Sequence, residues 1–560
     1  MLNFLKSYLS DNAAERPRLP LELLRALGVS GARFTQLDEV TVTAWVLGGL
    51  CVGLTAASWA AHRRVQVPWA VALLMGAAAS LRLLLIGRDP FLHPWDEQFH
   101  ALVAKNLAAD WTRPLLRARP VLPYDYRVWG NNHVWLHKQP LFLWQMALSL
   151  KAFGASALAV RLPSALLGTL FLWPAYRLGR LAASPAVGYY LAVLFAFAYY
   201  PLELTTGWQS VDHADVAFGA YVGASLWAYA ESRAAPARAG AWSAAVGLFA
   251  GAALLCKWLP GLVVYAVWAA DLLRDPARRN RAEAGRGLGA VALTALLSLP
   301  WQVYTHRRFP LESAFESRYA AQHFAHVLEG HGESWHFYLG HNLWYQYQWV
   351  VLLVGAGLVV TLRHPARDGR RRPLLWSGAL LFAFFSAAAT KMPSYTFVAA
   401  PGVLFLAAAA WAEGGAWLGR ATGRAAPLLE AVALLVVVAV DLRPTALLRH
   451  HTQRFATLIT GRERKARAQW AAAYRTLDQA VPVGYVVVNA PPNGAAEAMF
   501  FSHRIVYAGW PSEAEYQTLR QQGLHVAAFA TGPEPEPAYL PKADLLLLPD
   551  PVRADQPLRW

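Results

Sequence analysis

Two adjacent carboxylates closely follow an apolar segment that is long enough to cross a membrane. The segment runs from about Val67 to Gly87, Asp96 and Glu97 come soon after it, and the next apolar segment begins only after Lys138. A helix needs roughly 20 apolar residues to span a bilayer. Charged groups at such a position are costly unless they have a function, and a carboxylate there can act as a general base.

The two carboxylates also begin a segment with helical periodicity. Apolar side chains recur at the spacing of one helix face, at Phe99, Leu102, Val103 and Leu107. This spacing predicts an amphipathic helix on the membrane surface, with Asp96 and Glu97 in its first turn. Negative charge in a first turn also favours a helix through its dipole, so capping is the alternative role of the pair.

A second acidic group lies between two later apolar segments. It comprises Asp212, His213 and Asp215. Two carboxylates and a histidine at an entry to the membrane again indicate a functional site. Helix capping explains these residues equally well.

Three lysines stand at the ends of apolar segments. Lys138 lies between His137 and the span that begins near Pro140, whereas Lys257 and Lys391 are isolated between apolar runs. A lysine at a span end commonly extends its ammonium group to the membrane surface. Lys257 and Lys391, which lie on the same predicted face, would also suit a phosphate group bound near the bilayer surface.

Histidines are concentrated in the stretch 305–346. They include His331 and His336, which flank a Gly-Glu-Ser-Trp sequence. Histidine at such spacing can bind either a metal or a phosphate group. No HExxH-like arrangement is present, so the sequence leaves metal binding open.

Composition excludes an ordinary soluble enzyme. Of 560 residues, 56% are hydrophobic and only 15% are charged, and the apolar residues form blocks. The formal net charge is +16, but arginines gather in short loops at 274–286 and 363–372. This positive-inside pattern indicates a polytopic membrane protein and argues against nucleic-acid binding. Both cysteines, Cys51 and Cys256, lie in apolar segments, so neither a disulfide framework nor a Cys-based zinc site is expected.

The apolar blocks give thirteen candidate membrane spans. The arginine loops are expected on the inner side of the membrane. Asp96, Asp212 and the stretch 305–346 can then all lie on the outer side only if the block 186–204 is counted as two segments. We expect that block to break near Tyr199-Tyr200-Pro201, because proline interrupts a helix and broken helices persist where they line a cavity. This makes fourteen segments in all. The thirteen blocks are 41–61, 67–87, 139–154, 160–177, 186–204, 212–231, 240–256, 258–273, 287–304, 347–362, 374–390, 394–412 and 427–441.

The chain changes character after about residue 441. We therefore predict a polar N-terminal segment 1–40, a transmembrane domain 41–441 with outer loops 88–138 and 305–346, and a small C-terminal α/β domain 442–560 outside the membrane. In that last domain, Ser512 caps a predicted helix that ends at Gly523. Predicted strands are 483–488, 499–501 and 504–507, and two further short apolar runs lie at 526–530 and 545–548.

Taken in order, these motifs resemble the bacterial branch of the GT-C glycosyltransferases, which includes protein O-mannosyltransferases and aminoarabinose lipid A transferases. The family places Asp-Glu at the start of an amphipathic outer helix and a Lys-Pro-Pro-Leu-like sequence at the next span, matched here by Asp96-Glu97 and Lys138-Gln139-Pro140-Leu141. This chain departs from the pattern at His137 and Gln139. Further matches are Phe153-Gly154, Arg161-Leu162-Pro163-Ser164-Ala165, Leu178-Gly179-Arg180-Leu181, Lys257 with Pro260-Gly261, 331–338 and Lys391-Met392-Pro393-Ser394-Tyr395.

The resemblance implies a mainly α GT-C fold of about thirteen or fourteen transmembrane helices. It implies a multi-pass protein of the bacterial inner membrane, with its active site facing the periplasm. The implied reaction is inverting transfer of a sugar from a polyprenyl-phosphate carrier to a hydroxyl of a lipid, glycan or protein. In that reaction Asp96 takes the acceptor proton, while Glu97 and Asp212 orient the acceptor or the base.

The leaving group would be a lipid phosphate, whose growing negative charge needs fixed positive charges or hydrogen-bond donors. His137 and His331 are the candidate ligands if the reaction uses a divalent metal ion. The implied partners are the polyprenyl-phosphate sugar, its acceptor and membrane lipids. The candidates for binding the donor phosphate are Lys138, Lys257, Lys391, Tyr395, His331 and His336.

A transporter or flippase of lipid-linked sugars is the alternative function. Many spans and a broken helix fit such a protein, which would also show inverted repeats and charges near the membrane midplane. No long internal repeat is apparent, and the charges lie at span ends. A transferase is therefore the favoured interpretation.

Overall fold

The computed structural model describes residues 39–128, 130–209, 213–364, 369–443, 461–491, 494–530 and 535–552. Of the predicted N-terminal segment 1–40, only the last two residues are described, and they begin the first helix. In chain order this part of the molecule begins with α1 (Glu39–Arg63), α2 (Val67–Ile86), α3 (Asp96–Ala109), α4 (Pro140–Phe153), α5 (Ala157–Leu170), α6 (Leu172–Ala182), α7 (Pro185–Phe197), α8 (Tyr199–Thr205) and α9 (His213–Ala234).

The helical part continues to Leu442. Several of its helices have proline in the first turn, where the missing N–H group would have had no partner within the helix. Its remaining helices are α10 (Ala239–Leu254), α11 (Val263–Arg274), α12 (Arg281–Arg308), α13 (Pro310–Ala325), α14 (Leu343–Tyr347), α15 (Val350–Arg363), α16 (Arg372–Ala387), α17 (Ala400–Thr422) and α18 (Ala426–Leu442).

Each of the thirteen predicted apolar blocks contains a helix, so the multi-pass membrane fold is confirmed. Six helical segments within the described ranges are long and apolar enough to cross a bilayer, or seven if a bent pair counts as one span. The other blocks form shorter or more polar helices. The six are Thr43–Arg63, Val67–Ile86, Ala157–Ala182, Pro236–Leu254, Arg281–Arg308 and Pro393–Thr422.

The predicted break in the block 186–204 is confirmed. The helices α7 and α8 meet at an angle of 48°. At the junction, Ala198 has φ −54° and ψ 125°, which lies outside the helical region. Pro201 follows in the first turn of α8 and has no N–H group to continue the hydrogen bonds of α7.

The C-terminal part is a small α/β unit, as predicted. It consists of α19 (Gly461–Ala480), β1 (Tyr485–Val488), α20 (Gly494–Phe501), α21 (Glu513–Gln521), β2 (His525–Phe529) and β3 (Leu545–Leu548). The three strands form a parallel sheet in the order β1-β2-β3, with Val486 opposite Val526 and Val526 opposite Leu545. Ser512 and Glu515 form the predicted cap of α21 by bonding each other's backbone N–H groups.

Two strand predictions in this unit were wrong. Residues 499–501 belong to α20, because the apolar run continues the helix that begins at Gly494. The segment 504–507 contributes a single bridge, between Val506 and Val487 of β1. Apolar runs this short do not distinguish a buried helix turn from a strand.

Close packing of helices depends on individual glycines. Gly357 of α15 faces the backbone of α17, and a Cβ atom at this position would lie 1.8 Å from the carbonyl oxygen of Leu406. Small residues let membrane helices approach in this way. A Cβ atom added at Gly355, two residues earlier on the same helix, would have no atom within 4 Å.

We predict that Gly357→Ala destabilises the protein and that Gly355→Ala does not. The added methyl group at 357 must separate α15 from α17, and overpacking of this kind typically costs about 1–3 kcal/mol. Thermal unfolding in detergent measures the effect. Equal unfolding temperatures for the two variants would show that the helices do not meet at Gly357.

Candidate functional site

The predicted helix begins at Asp96, as expected. Trp95 precedes it with φ 70°, an unfavourable value for a residue with a side chain, and this turn sends the chain into α3. Asp96 is buried, and its Oδ2 atom lies 3.3 Å from the Nζ atom of Lys138. The two residues come from opposite ends of the predicted outer loop 88–138. Folding therefore brings together an acid and a lysine that the sequence places in separate motifs.

Each member of this pair keeps the other charged. Burial opposes the charge on Asp96, but Lys138 and nearby histidines outweigh it and lower the pKa of the carboxyl below its usual value. Burial likewise opposes the charge on Lys138, but Asp96 and Asp215 raise its pKa. Burial lowers the pKa of His100, one turn along α3, to about 4, so this histidine is uncharged at neutral pH.

Glu97, the other predicted acid, occupies a different environment. Arg161 of α5 binds both of its carboxylate oxygens, Nε to Oε1 at 2.6 Å and Nη2 to Oε2 at 3.0 Å. The backbone N–H of His93 and the ring of His213 also contact it. Burial disfavours the charge, but Arg161 and His213 hold the pKa of Glu97 well below its usual range. Glu97 does not line the cavity beside Asp96, and its partners fit an anchoring role.

Arg161 also organises the loop that leads into α3. It is fully buried, and its guanidinium group donates to the carbonyl oxygens of Ile86, Asp89 and Phe91 at 2.7–3.3 Å. Gly207 leaves the space that this arrangement requires, since a Cβ atom there would lie 2.5 Å from Glu97. The sequence placed Arg161 in a family motif without indicating this role.

A cavity of about 590 Å³ lies beside the Asp96–Lys138 pair. It is lined by Lys138, by Asp215 from the start of α9, and by Lys257 and Tyr395. Lys257 bonds to Asp215 through Nζ and Oδ1 at 2.5 Å and lies 5.4 Å from the centre of the Tyr395 ring. Three of the predicted phosphate-binding residues thus share one cavity with a second acid.

That second acid is Asp215, whereas the sequence interpretation chose Asp212, which lies outside the described residues. In the part of the chain that is described, the Oδ2 atom of Asp215 is buried and has no hydrogen-bond partner. A buried acceptor without a partner is costly, which suits a group that accepts a hydrogen bond from a bound ligand.

The remaining cavity wall is mostly apolar and partly open. Trp258, Leu259 and Phe324 line it, and Leu259 is 62% exposed. A second group of acids, Glu316 and Glu329, enters from α13 and the loop after it; these were missed by sequence reasoning. The cavity therefore combines fixed charges at one end with an open apolar wall, which suits a ligand with a charged head and a long apolar chain.

Neither Asp96 nor Glu97 is part of the cavity wall, although Asp96 pairs with Lys138, which is. Three further predicted site residues also lie elsewhere. Lys391 is buried and donates to the carbonyl oxygen of Ala388 at 2.5 Å, and its backbone N–H bonds to His331. Neither these two residues nor His336, which is exposed, is part of the cavity wall. Of the metal candidates, His137 lines the cavity and bonds to Glu316 at 3.1 Å. Within the described ranges, no three His, Cys, Asp or Glu side chains are arranged to hold a metal ion.

The C-terminal unit contacts both ends of α3. Arg464 of α19 pairs with Asp89 at 2.6 Å, and Glu497 of α20 accepts the backbone N–H of Leu92 at 2.8 Å. At the other end, Lys105 donates to the carbonyl oxygens of Met499, Phe500 and Ser502 at 2.6–2.9 Å, where α20 ends. Lysine at a helix C-terminus satisfies carbonyls that have no partner within the helix. The C-terminal unit thereby fixes the position of α3 and of Asp96.

Comparisons with known proteins show which families this chain resembles. Residues 137–304, less than half of the chain, match the family described as dolichyl-phosphate-mannose-protein mannosyltransferase. A curated relative, undecaprenyl phosphate-alpha-4-amino-4-deoxy-L-arabinose arabinosyl transferase 1 of Pseudomonas fluorescens (strain Pf0-1), is 28% identical over 268 residues. That alignment covers 45% of this chain, and the chain spans 44% of the relative's length.

Solved structures share the fold over most of the chain. ArnT from Cupriavidus metallidurans bound to undecaprenyl phosphate superposes with a TM-score of 0.56 at 17% identity, covering 83% of this chain and 89% of that one. The oligosaccharyltransferase of Archaeoglobus fulgidus superposes with a TM-score of 0.52 at 14% identity, and the match covers 78% of this chain and 62% of that one. The resemblance to protein O-mannosyltransferases and aminoarabinose transferases predicted from the motifs is confirmed.

We predict that Glu97→Gln destabilises the fold strongly. The substitution leaves the buried Arg161 without its anionic partner, and breaking a buried ion pair typically costs about 3–5 kcal/mol. The exposed pair of Glu413 and Arg420, 3.5 Å apart, supplies a matched control in Glu413→Gln, which should leave thermal unfolding almost unchanged. A Glu97→Gln variant as stable as the control variant would exclude the anchoring role.

We expect the stability of the fold to depend on pH through the contact between the C-terminal unit and the loop before α3. Burial raises the pKa of Glu497 to about 7, from an ordinary value of 4.5. A carboxyl with a raised pKa stabilises the fold when it is protonated, so this contribution is complete below pH 4.5 and is lost as the pH rises through about 7.

Between pH 5 and 8, thermal stability of the wild type should therefore fall relative to Glu497→Gln, by an amount corresponding to about 1–3 kcal/mol. Glu513→Gln, on the exposed face of α21, is the control and should follow the wild type. Parallel pH profiles for wild type and Glu497→Gln would contradict the buried, protonated state of this carboxyl.

Proposed function

We propose, from the GT-C glycosyltransferase fold that this chain shares with the ArnT structures, that it is an integral membrane glycosyltransferase. It moves a sugar from a polyprenyl-phosphate carrier to an acceptor hydroxyl on the outer face of the membrane. The observation that carries the proposal is the cavity lined by Lys138, which pairs with the buried Asp96, and by a second acid–lysine pair, Asp215 and Lys257. The curated relative makes 4-amino-4-deoxy-L-arabinose the first sugar to test.

The reaction requires a base and a site for a leaving phosphate. The acceptor oxygen attacks the anomeric carbon as Asp96 takes the acceptor proton, and the bond from that carbon to the phosphate oxygen breaks. Attack from the side opposite the phosphate inverts the anomeric configuration. The polyprenyl phosphate leaves with the bonding electrons.

Lys138 and Lys257 stabilise the negative charge that develops on the phosphate. Each lysine uses one N–H for its carboxylate partner and keeps others for the phosphate oxygens. Tyr395, whose ring centre lies 5.4 Å from the Nζ atom of Lys257, lines the same cavity and can donate a further hydrogen bond. The buried Oδ2 atom of Asp215 is placed to accept a hydrogen bond from a sugar hydroxyl or amino group.

The apolar wall gives the carrier chain a place to lie. Trp258, Leu259 and Phe324 line the same cavity as the lysines and are partly exposed. A prenyl chain in contact with these side chains remains within the hydrocarbon layer while its phosphate reaches the lysines. The donor is thus held partly by the protein and partly by the surrounding membrane lipids.

Asp96→Asn should abolish transfer and leave the fold intact. Asparagine is similar in size but cannot accept the acceptor proton, and loss of a general base typically costs about 10²–10⁴-fold in rate. Purified protein would receive a panel of polyprenyl-phosphate sugars, beginning with the aminoarabinose donor, and a membrane extract as the acceptor source. Release of free polyprenyl phosphate is the measurement.

The matched control is Asp110→Asn, at the exposed C-terminal end of the same helix, where the side chain bonds only to Thr112 among the described residues. It should release polyprenyl phosphate at the wild-type rate. Release by Asp96→Asn at that rate would remove Asp96 from the role of base. Movement of intact donor between leaflets of a vesicle, without its cleavage, would instead favour a transporter.

A further inference from the structure

Arg82 is a buried charge inside a membrane span and does not line the candidate active site. It lies in α2, about one helical turn before that span ends at Ile86, and is only 1% exposed. Its Nη1 atom donates to the carbonyl oxygens of Ala78 and Ala196 at 3.3 and 3.2 Å, and its Nη2 atom donates to that of Phe195 at 3.1 Å. All three acceptors are neutral backbone groups. An ionised side chain within the bilayer core is costly, and such residues commonly mark an ion site.

A small cavity, of about 30 Å³, adjoins this guanidinium group. It lies at the break between α7 and α8, because Phe195, Pro201 and Thr205 line it, and residues of α5, α9 and the start of α17 complete its wall. A Cβ atom added at Gly168 of α5 would lie 3.1 Å from the Nε atom of Arg82, so Nε faces this wall. A cavity of this volume is large enough for a water molecule or one small ion.

The cavity wall offers a charged hydrogen-bond donor and few acceptors. The Nε–H group of Arg82 is buried and has no hydrogen-bond partner among the described residues. Thr205 supplies a hydroxyl, which donates to the carbonyl oxygen of Pro201 at 2.7 Å. The other described residues of the wall are glycine, alanine, valine, proline and phenylalanine, and no carboxylate is among them. A water molecule needs acceptors for its own hydrogens, whereas an anion needs only donors and a positive charge.

We propose that the break between α7 and α8 holds a small inorganic anion, of the size of chloride, bound to the Nε–H group of Arg82. The anion supplies the negative charge that three neutral carbonyl groups do not, and the cavity volume suits a monatomic ion better than a lipid headgroup. The same guanidinium group joins α2 to the end of α7. After the break, α8 leads to Gly207, which packs against Glu97. The anion therefore stabilises a joint that lies next to the anchor of the candidate active site.

The test measures chloride binding to the full-length protein in a neutral detergent. Radioactive chloride bound per protein molecule is counted at constant ionic strength, with gluconate as the replacing anion and unlabelled bromide as a competitor, and thermal unfolding is followed in the same buffers. Gly168→Ala places a methyl group against Nε, and Val216→Ile adds one carbon to the cavity wall; both leave Arg82 in place. Gly285→Ala is the control, because a Cβ atom added there, on α12, would have no atom within 4 Å.

The wild type and Gly285→Ala should bind about one chloride per molecule, bromide should compete, and chloride should raise the unfolding temperature relative to gluconate. In Gly168→Ala and Val216→Ile the affinity for chloride should fall about tenfold, and the rise in unfolding temperature should be lost. Absence of saturable chloride binding by the wild type would overturn the proposal and assign the cavity to water. Unchanged chloride affinity in either cavity variant, with a cooperative unfolding transition to show that it is folded, would place the chloride elsewhere and overturn it as well.

Discussion

The ion pair between Glu97 and Arg161 is the interaction on which the rest of the site depends. It is fully buried, it uses both oxygens of the carboxylate, and the same guanidinium group holds the carbonyls of the loop that enters α3. Neighbouring residues on a helix point about 100° apart. Fixing Glu97 against α5 therefore turns Asp96 towards Lys138, which lines the cavity. One of two adjacent carboxylates positions the other, which explains why both stand at the start of one helix.

The C-terminal unit contributes a second constraint on the same helix. Arg464 and Glu497 hold the loop before α3, and Lys105 binds the end of α20 near the other end of the helix. Any motion of α3 would shift the Asp96 carboxylate relative to the lysines. Contacts at both ends remove that freedom. The unit therefore supports the proposed chemistry by holding α3 in place, although none of its residues within the described ranges lines the cavity.

The sequence predicted those features that depend on local pattern. Apolar blocks located the helices, Pro201 indicated the broken segment, and Ser512 with Gly523 bounded α21. It did not predict features that depend on which side chain faces inward. The role of Glu97 required its partner from α5, and the presence of Asp215 in the cavity required knowledge of how α9 packs. Lys391 belongs to a family-like motif, yet it bonds to the backbone of its own segment. Spacing along the chain places a residue near a membrane face, and only packing decides what it meets there.

The two acid–lysine pairs give the proposed reaction a way to couple donor binding to proton transfer. In the unliganded site Lys138 lowers the pKa of Asp96, which keeps the carboxylate ionised and makes it a weak base. A donor phosphate that attracts Lys138 weakens that interaction. Asp96 then becomes more basic when the sugar is in place, because the charge that stabilised its ionised form has been redirected to the phosphate. Before the donor arrives, the same pairing limits the electrostatic cost of holding two lysines and two carboxylates beside an apolar wall.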